Sequence, residues 1–105
     1  MNEFEGVTVV KQANIYFDGA VTSRIVKFAN GEVKTLGIMM PGEYTFSTDK
    51  REVMEILVGE VKVQLPGEEQ WHHYAQGQSF DVAAQASFNI RVKSVTDYCC
   101  SYLDG

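Results

Sequence analysis

The sequence predicts an all-β, single-domain jelly-roll barrel of antiparallel strands covering residues 1–105, and three observations carry that expectation. Several short runs alternate apolar and polar residues with a period of two, the pattern of strands with one buried and one wetted face. Turn signals separate these runs so closely that helices of ordinary length hardly fit. A chain of 105 residues is long enough for one core and too short for a second domain.

The clearest run is Val61, Val63 and Leu65 alternating with Glu60, Lys62 and Gln64. Phe88, Ile90 and Val92 alternate with Asn89, Arg91 and Lys93, and Phe80 and Val82 flank Asp81 in the same way. Asn30-Gly31, Pro41-Gly42, Gly59, Pro66-Gly67 and Gly77 punctuate the chain. Asn30-Gly31 lies between Ile25-Val26-Lys27-Phe28 and Val33-Lys34-Thr35-Leu36, which predicts a hairpin with a two-residue type I′ turn. So many antiparallel strands must protect their edges, and a jelly roll or closed barrel does so. A sandwich of the immunoglobulin kind is the competing arrangement, and pattern alone does not separate the two. The first dozen residues are expected to form an added strand or a loose arm.

Composition narrows the function classes. The formal net charge is −5, and no run of Lys or Arg interleaves with aromatic residues, which argues against nucleic acid as a partner. The acidic balance repels phosphate at long range, so a phosphate site must rely on local donors. No apolar stretch approaches the ~20 residues needed to span a bilayer, and Glu3 and Glu5 stand where a secretory leader carries basic residues. The expected location is the cytoplasm. Cys99 and Cys100 are adjacent, point to opposite faces of a strand, and are expected to be reduced thiols. His72 and His73 likewise face opposite sides and cannot share a metal ion, so the segment from Gln70 to Tyr74 is expected to be an edge strand or loop.

The segment from Gly37 to Gly59 points to a cupin-type barrel, because Glu52 precedes the turn residue Gly59 with the spacing of the first cupin motif. Metal-binding cupins place two histidines shortly before that Glu, where this chain has Phe46 and Thr48, or Thr45 and Ser47. The second motif begins at Gly77 and has Phe88 near its histidine position. Those side chains cannot replace imidazoles as ligands, so no metal is expected.

A narrower resemblance rests on Pro41-Gly42-Glu43-Tyr44-Thr45-Phe46-Ser47-Thr48, Glu52-Val53-Met54, and Leu65-Pro66 before Trp71. Gly77-Gln78-Ser79-Phe80, Ser87-Phe88 and the tail from Tyr98 to Leu103 extend it. Together these resemble the pyrimidine/purine nucleoside phosphorylases from about Tyr16 to Leu103, with Val82-Ala83-Ala84-Gln85 departing where the family commonly has a Pro. The resemblance implies phosphorolysis of both pyrimidine and purine nucleosides to a free base and ribose 1-phosphate, by a homodimer and with no organic cofactor. A non-catalytic cupin that binds a sugar or nucleotide is the alternative.

Glu52 shares a strand face with Met54, Ile56 and Val58, so it stands at the edge of an apolar interior face. It is the candidate catalytic residue, binding ribose hydroxyls or steadying positive charge on the sugar as the glycosidic bond breaks. Thr45, Ser47 and Thr48 offer hydroxyls beside the Pro41-Gly42 turn for substrate or an anion. Tyr44, Phe46, Phe88, Tyr98 and Tyr102 are candidate walls of a base-binding pocket, because stacking tolerates any base. Arg24, Arg51 and Arg91 are the natural phosphate clamps, and no pattern in the sequence selects among them, so the phosphate-binding residues stay unassigned.

Overall fold

The computed structural model describes residues 3–104 and consists of antiparallel strands with a single short 3₁₀ turn at Phe17–Gly19. In chain order the strands are β1 (Thr8–Val9), β2 (Asn14–Tyr16), β3 (Val21–Lys27), β4 (Val33–Met39), β5 (Gly42–Ser47) and β6 (Arg51–Val58). They continue with β7 (Glu60–Gln64), β8 (His72–Ala75), β9 (Ser79–Val82), β10 (Ser87–Val92) and β11 (Thr96–Leu103). The larger sheet runs β1-β3-β4-β11-β6-β9, with β2 also paired to β3, and the smaller runs β5-β10-β7-β8. The two sheets face each other as an open jelly roll, so the expected all-β class holds while closure into a continuous barrel does not.

Alternation in the sequence becomes burial in the fold. Val61, Val63, Phe80, Val82, Phe88, Ile90 and Val92 all enter the core, meeting Val21, Met39, Met54 and Ile56 from the larger sheet. Burying a side chain of this kind contributes roughly 1.5–3 kcal/mol, which makes the shared face between the sheets the dominant stabilising element. The period of two breaks once on β6, where Val58 stays 51% exposed although Met54 and Ile56 are buried. A bulge is the cause: Asp97 pairs with Val58 but Tyr98 pairs with Ile56, so Leu57 is the extra residue and the face shifts beyond it.

The predicted hairpin between β3 and β4 is present, with Lys27 opposite Val33. Its turn differs from expectation, because Gly31 has a positive φ of 94° and Asn30 does not. The Gly31 amide donates to the Phe28 carbonyl at 3.1 Å, and the Phe28 amide to Glu32 at 2.9 Å. Ala29, Asn30 and Gly31 thus form a three-residue loop with the glycine in the left-handed position. Asn30 helps in another way, its Oδ1 accepting from the Glu32 amide at 2.9 Å. Among the first dozen residues, Thr8 and Val9 form an added strand against Lys27 and Val26 of β3.

The edge strand expected around His72 and His73 is β8. The two imidazoles contact different carboxylates, His72 that of Glu68 and His73 that of Glu60. At the β6–β7 turn Gly59 has a φ of 102°, and a Cβ there would lie 2.6 Å from Thr96 Oγ1 and 2.8 Å from the Val95 carbonyl. Both the backbone angle and the space demand glycine. Gly59→Ala is expected to lower stability by about 1–3 kcal/mol, measured by urea denaturation with an unchanged m-value.

Candidate functional site

A cavity of about 140 Å³ opens between the sheets, and its inner wall is built by three neighbouring strands of the larger one. Glu52 and Met54 come from β6, Tyr98, Cys100 and Tyr102 from β11, and Met39 from β4. Register explains why they meet. Tyr102 lies opposite Glu52, Cys100 opposite Met54 and Tyr98 opposite Ile56, so alternate residues of both strands project from one face. Ser23 of β3 completes that wall, while Phe46 and Phe88 face it from the smaller sheet with rings stacked 5.7 Å apart. Tyr16 and Ser47 stand at the mouth.

The polar groups of the cavity wall are paired. The Cys100 thiol donates to Glu52 Oε1 at 3.4 Å, and the Tyr102 hydroxyl lies 3.2 Å from Thr35 Oγ1. Tyr98 donates to the Thr22 carbonyl at 3.4 Å, and Asn14 donates to Ser23 Oγ at 3.2 Å. Burial pushes the Glu52 carboxyl above the ordinary range, partly offset by the thiol that stabilises its anion. Desolvation drives the Tyr98, Tyr102 and Cys100 groups far upward as well, so all three are neutral donors at physiological pH. The lining residues include no Arg, Lys or His, and Glu52 is therefore the one formal charge among them.

Gly37 makes room for this arrangement. It pairs with Ser23 on one side and Tyr98 on the other. A Cβ at this position would come within 2.1 Å of the Thr22 carbonyl and 2.8 Å of the Tyr98 hydroxyl. The phenol occupies the space that a side chain would have filled.

Of the residues singled out from the sequence, Glu52, Phe46, Ser47, Phe88, Tyr98 and Tyr102 come together at this cavity. Tyr44, Thr45 and Thr48 do not line it. Tyr44 is buried in the core and donates to the Met40 carbonyl at 2.7 Å. Thr45 faces solvent on β5 and donates to Asn89 Oδ1 at 2.6 Å. Thr48 is buried, donating to the Ala83 carbonyl at 2.6 Å and accepting from the Ala86 amide at 3.1 Å. Its hydroxyl thereby ties down the Ala83–Ala86 loop, which overlaps the segment that departs from the family pattern.

The arginines are engaged elsewhere. Arg51 forms a two-pronged pair with Asp81, and Arg24 donates to the Lys11 carbonyl. Arg91 donates to Glu43 with its guanidinium 3.9 Å from the Trp71 ring. Among the described residues no group of three His, Cys, Asp or Glu side chains is placed to hold a metal ion.

A family model described as "Pyrimidine/purine nucleoside phosphorylase" matches residues 11–102. The chain belongs to that family. A protein of Syntrophotalea carbinolica named pyrimidine/purine nucleoside phosphorylase is 59% identical over 103 residues, covering 98% of this chain and 99% of its own. The crystal structure of a protein of unknown function from an Acinetobacter species superposes with a TM-score of 0.94 at 38% identity, covering 96% of this chain and 98% of the other. An RmlC-like cupin from Shewanella frigidimarina superposes with a TM-score of 0.71 at 16% identity, over 97% of this chain and 93% of its own, which shows the shared cupin fold. The cupin arrangement therefore prevails over the immunoglobulin-type sandwich. Like its phosphorylase relatives, the chain is an enzyme of that kind. No helix among the described residues is long and apolar enough to cross a membrane.

The partial burial of Glu52 has a thermodynamic consequence. The unfolded chain restores its ordinary value of 4.5, whereas the folded carboxyl titrates higher. The stability associated with the protonated form is fully present below the unfolded value and is lost as pH rises through the folded one. Glu52→Gln, which cannot ionise, is expected to melt at a higher temperature than the parent at neutral pH. Thermal scans across pH should show the gap closing below about 4.5; a gap independent of pH would contradict the assignment.

Proposed function

We propose that the cavity receives the sugar of a pyrimidine or purine ribonucleoside and that the protein catalyses its phosphorolysis. The observation that carries this reading is one carboxylate, Glu52, set among neutral hydroxyls in a small cavity free of cationic side chains. Typical small-molecule pockets begin near 300 Å³. A cavity of about 140 Å³ suits a pentose better than a whole nucleoside.

A phosphate oxygen attacks the anomeric carbon, the bond to the base nitrogen breaks, and the electron pair leaves with the base, which takes a proton from solvent. The products are ribose 1-phosphate and the free base. Positive charge develops on the sugar as that bond breaks, and the carboxylate of Glu52, which lines the cavity, stabilises it. Hydroxyls of Tyr98, Tyr102 and Ser23 orient the sugar, and Phe46 and Phe88 exclude water that would otherwise compete with phosphate. Phosphate itself relies on hydroxyl and backbone donors, since the three arginines have partners of their own. A grip on the sugar and not on the base edge accounts for acceptance of both base classes. Free thiols at Cys99 and Cys100 fit a reducing compartment, the cytoplasm.

Incubation with uridine or adenosine tests the reading. Base release is expected only when phosphate is present, and its absence under both conditions would overturn the proposal. Binding without release would instead support the non-catalytic alternative. Glu52→Gln should reduce turnover at least about tenfold with the fold intact, on the scale of one transition-state charge contact. A chelator should leave the rate unchanged.

A further inference from the structure

The cavity leaves the larger part of a nucleoside outside it, and one aromatic ring waits at the opening. Phe88 and Tyr98 are buried within the walls, whereas Tyr16 lines the same cavity and is 46% exposed. Tyr16 is the last residue of β2, paired with Val21 of β3, and has no core to fill. From this geometry we infer that Tyr16 is the platform on which the base stacks, outside the cavity that holds the sugar.

The chain after Tyr16 is held firmly enough for that task. Phe17, Asp18 and Gly19 have successive φ values of 51°, 55° and 95°. A bulky residue in the left-handed region is costly and persists only where its surroundings fix it. Here the Phe17 ring rests 4.9 Å from that of Tyr44 and 5.5 Å from that of Phe46. The Ala20 amide donates back to the Phe17 carbonyl at 3.1 Å, and the Met40 amide donates to Ala20 at 2.8 Å. Anchored on both sides, the turn presents Tyr16 to solvent over the mouth. A flat ring accepts any base through its π face, without reading its edge. The nearby rim hydroxyl of Ser47 is paired with Ser87 at 3.2 Å.

The assignment rests on the sugar-binding reading of the cavity, and kinetics separates the two. Base stacking of the usual strength predicts that Tyr16→Ala raises KM for uridine and adenosine alike by about 5- to 100-fold. The turnover number should change less than about twofold, since the contact is equal in ground and transition states. Tyr16→Phe keeps the ring and should recover most of the loss, while Tyr16→Leu, apolar without a π face, should resemble Ala. An unmoved KM in the Ala and Leu variants of a normally active enzyme overturns the platform alone. So does a Phe variant as impaired as Ala, which would assign the effect to the hydroxyl. A parent protein that releases no base overturns the phosphorolysis reading beneath it.

Discussion

Strand β11 is the constraint on which the site depends. It is hydrogen-bonded on one edge to β4 and on the other to β6, so its register fixes both neighbours at once. Slipping by one residue would turn Cys99 and Ser101 inward and expel Tyr98, Cys100 and Tyr102. Burial opposes such a slip, because Cys100 and Tyr98 are almost fully enclosed, and their hydrogen bonds reach Glu52 of β6 on one side and, across β4, the Thr22 carbonyl of β3 on the other. The bulge after Asp97 sets this phase, placing the extra residue of β6, Leu57, beyond Glu52 and Met54 and leaving Glu52 opposite Tyr102.

The fold was legible wherever alternation was uninterrupted. Val61 and Val63, Phe80 and Val82, and Phe88, Ile90 and Val92 each announce an inward face, and each is buried. Val58 was misread because a period of two carries no notice of a bulge, which arises only when a second strand is laid alongside. The Asn30-Gly31 turn was located correctly but given the wrong geometry. Asn-Gly favours a type I′ turn, yet the strands end farther apart and add a residue to the loop.

The site was only partly legible, for a related reason. Parity along β6 put Glu52 beside an interior face, and Phe46, Phe88, Tyr98 and Tyr102 were expected as aromatic walls; all five line the cavity. Parity also implied that Thr45 faces away from Tyr44 and Phe46, a signal within the sequence that the cluster of neighbouring hydroxyls obscured. Ser23, Met39 and Tyr16 were missed because they are distant in sequence and reach the cavity only through pairing of β2, β3 and β4. Thr48 was grouped with the exposed hydroxyls of its segment, whereas it is buried and its hydroxyl bonds to the backbone of the Ala83–Ala86 loop.

Gly37 gives this architecture a less visible dependency. Its missing side chain is the space that the Tyr98 phenol occupies, although the two residues lie on different strands and 61 positions separate them in the numbering. Neither residue is free to vary while the other is retained. Enlarging Gly37 displaces the phenol, and shrinking Tyr98 opens a void beside a bare backbone. The dependency is not symmetrical, because the Thr22 carbonyl would still lie 2.1 Å from a Cβ at Gly37 after Tyr98 had shrunk: a lineage that remodels this end of the cavity has to build around a fixed glycine.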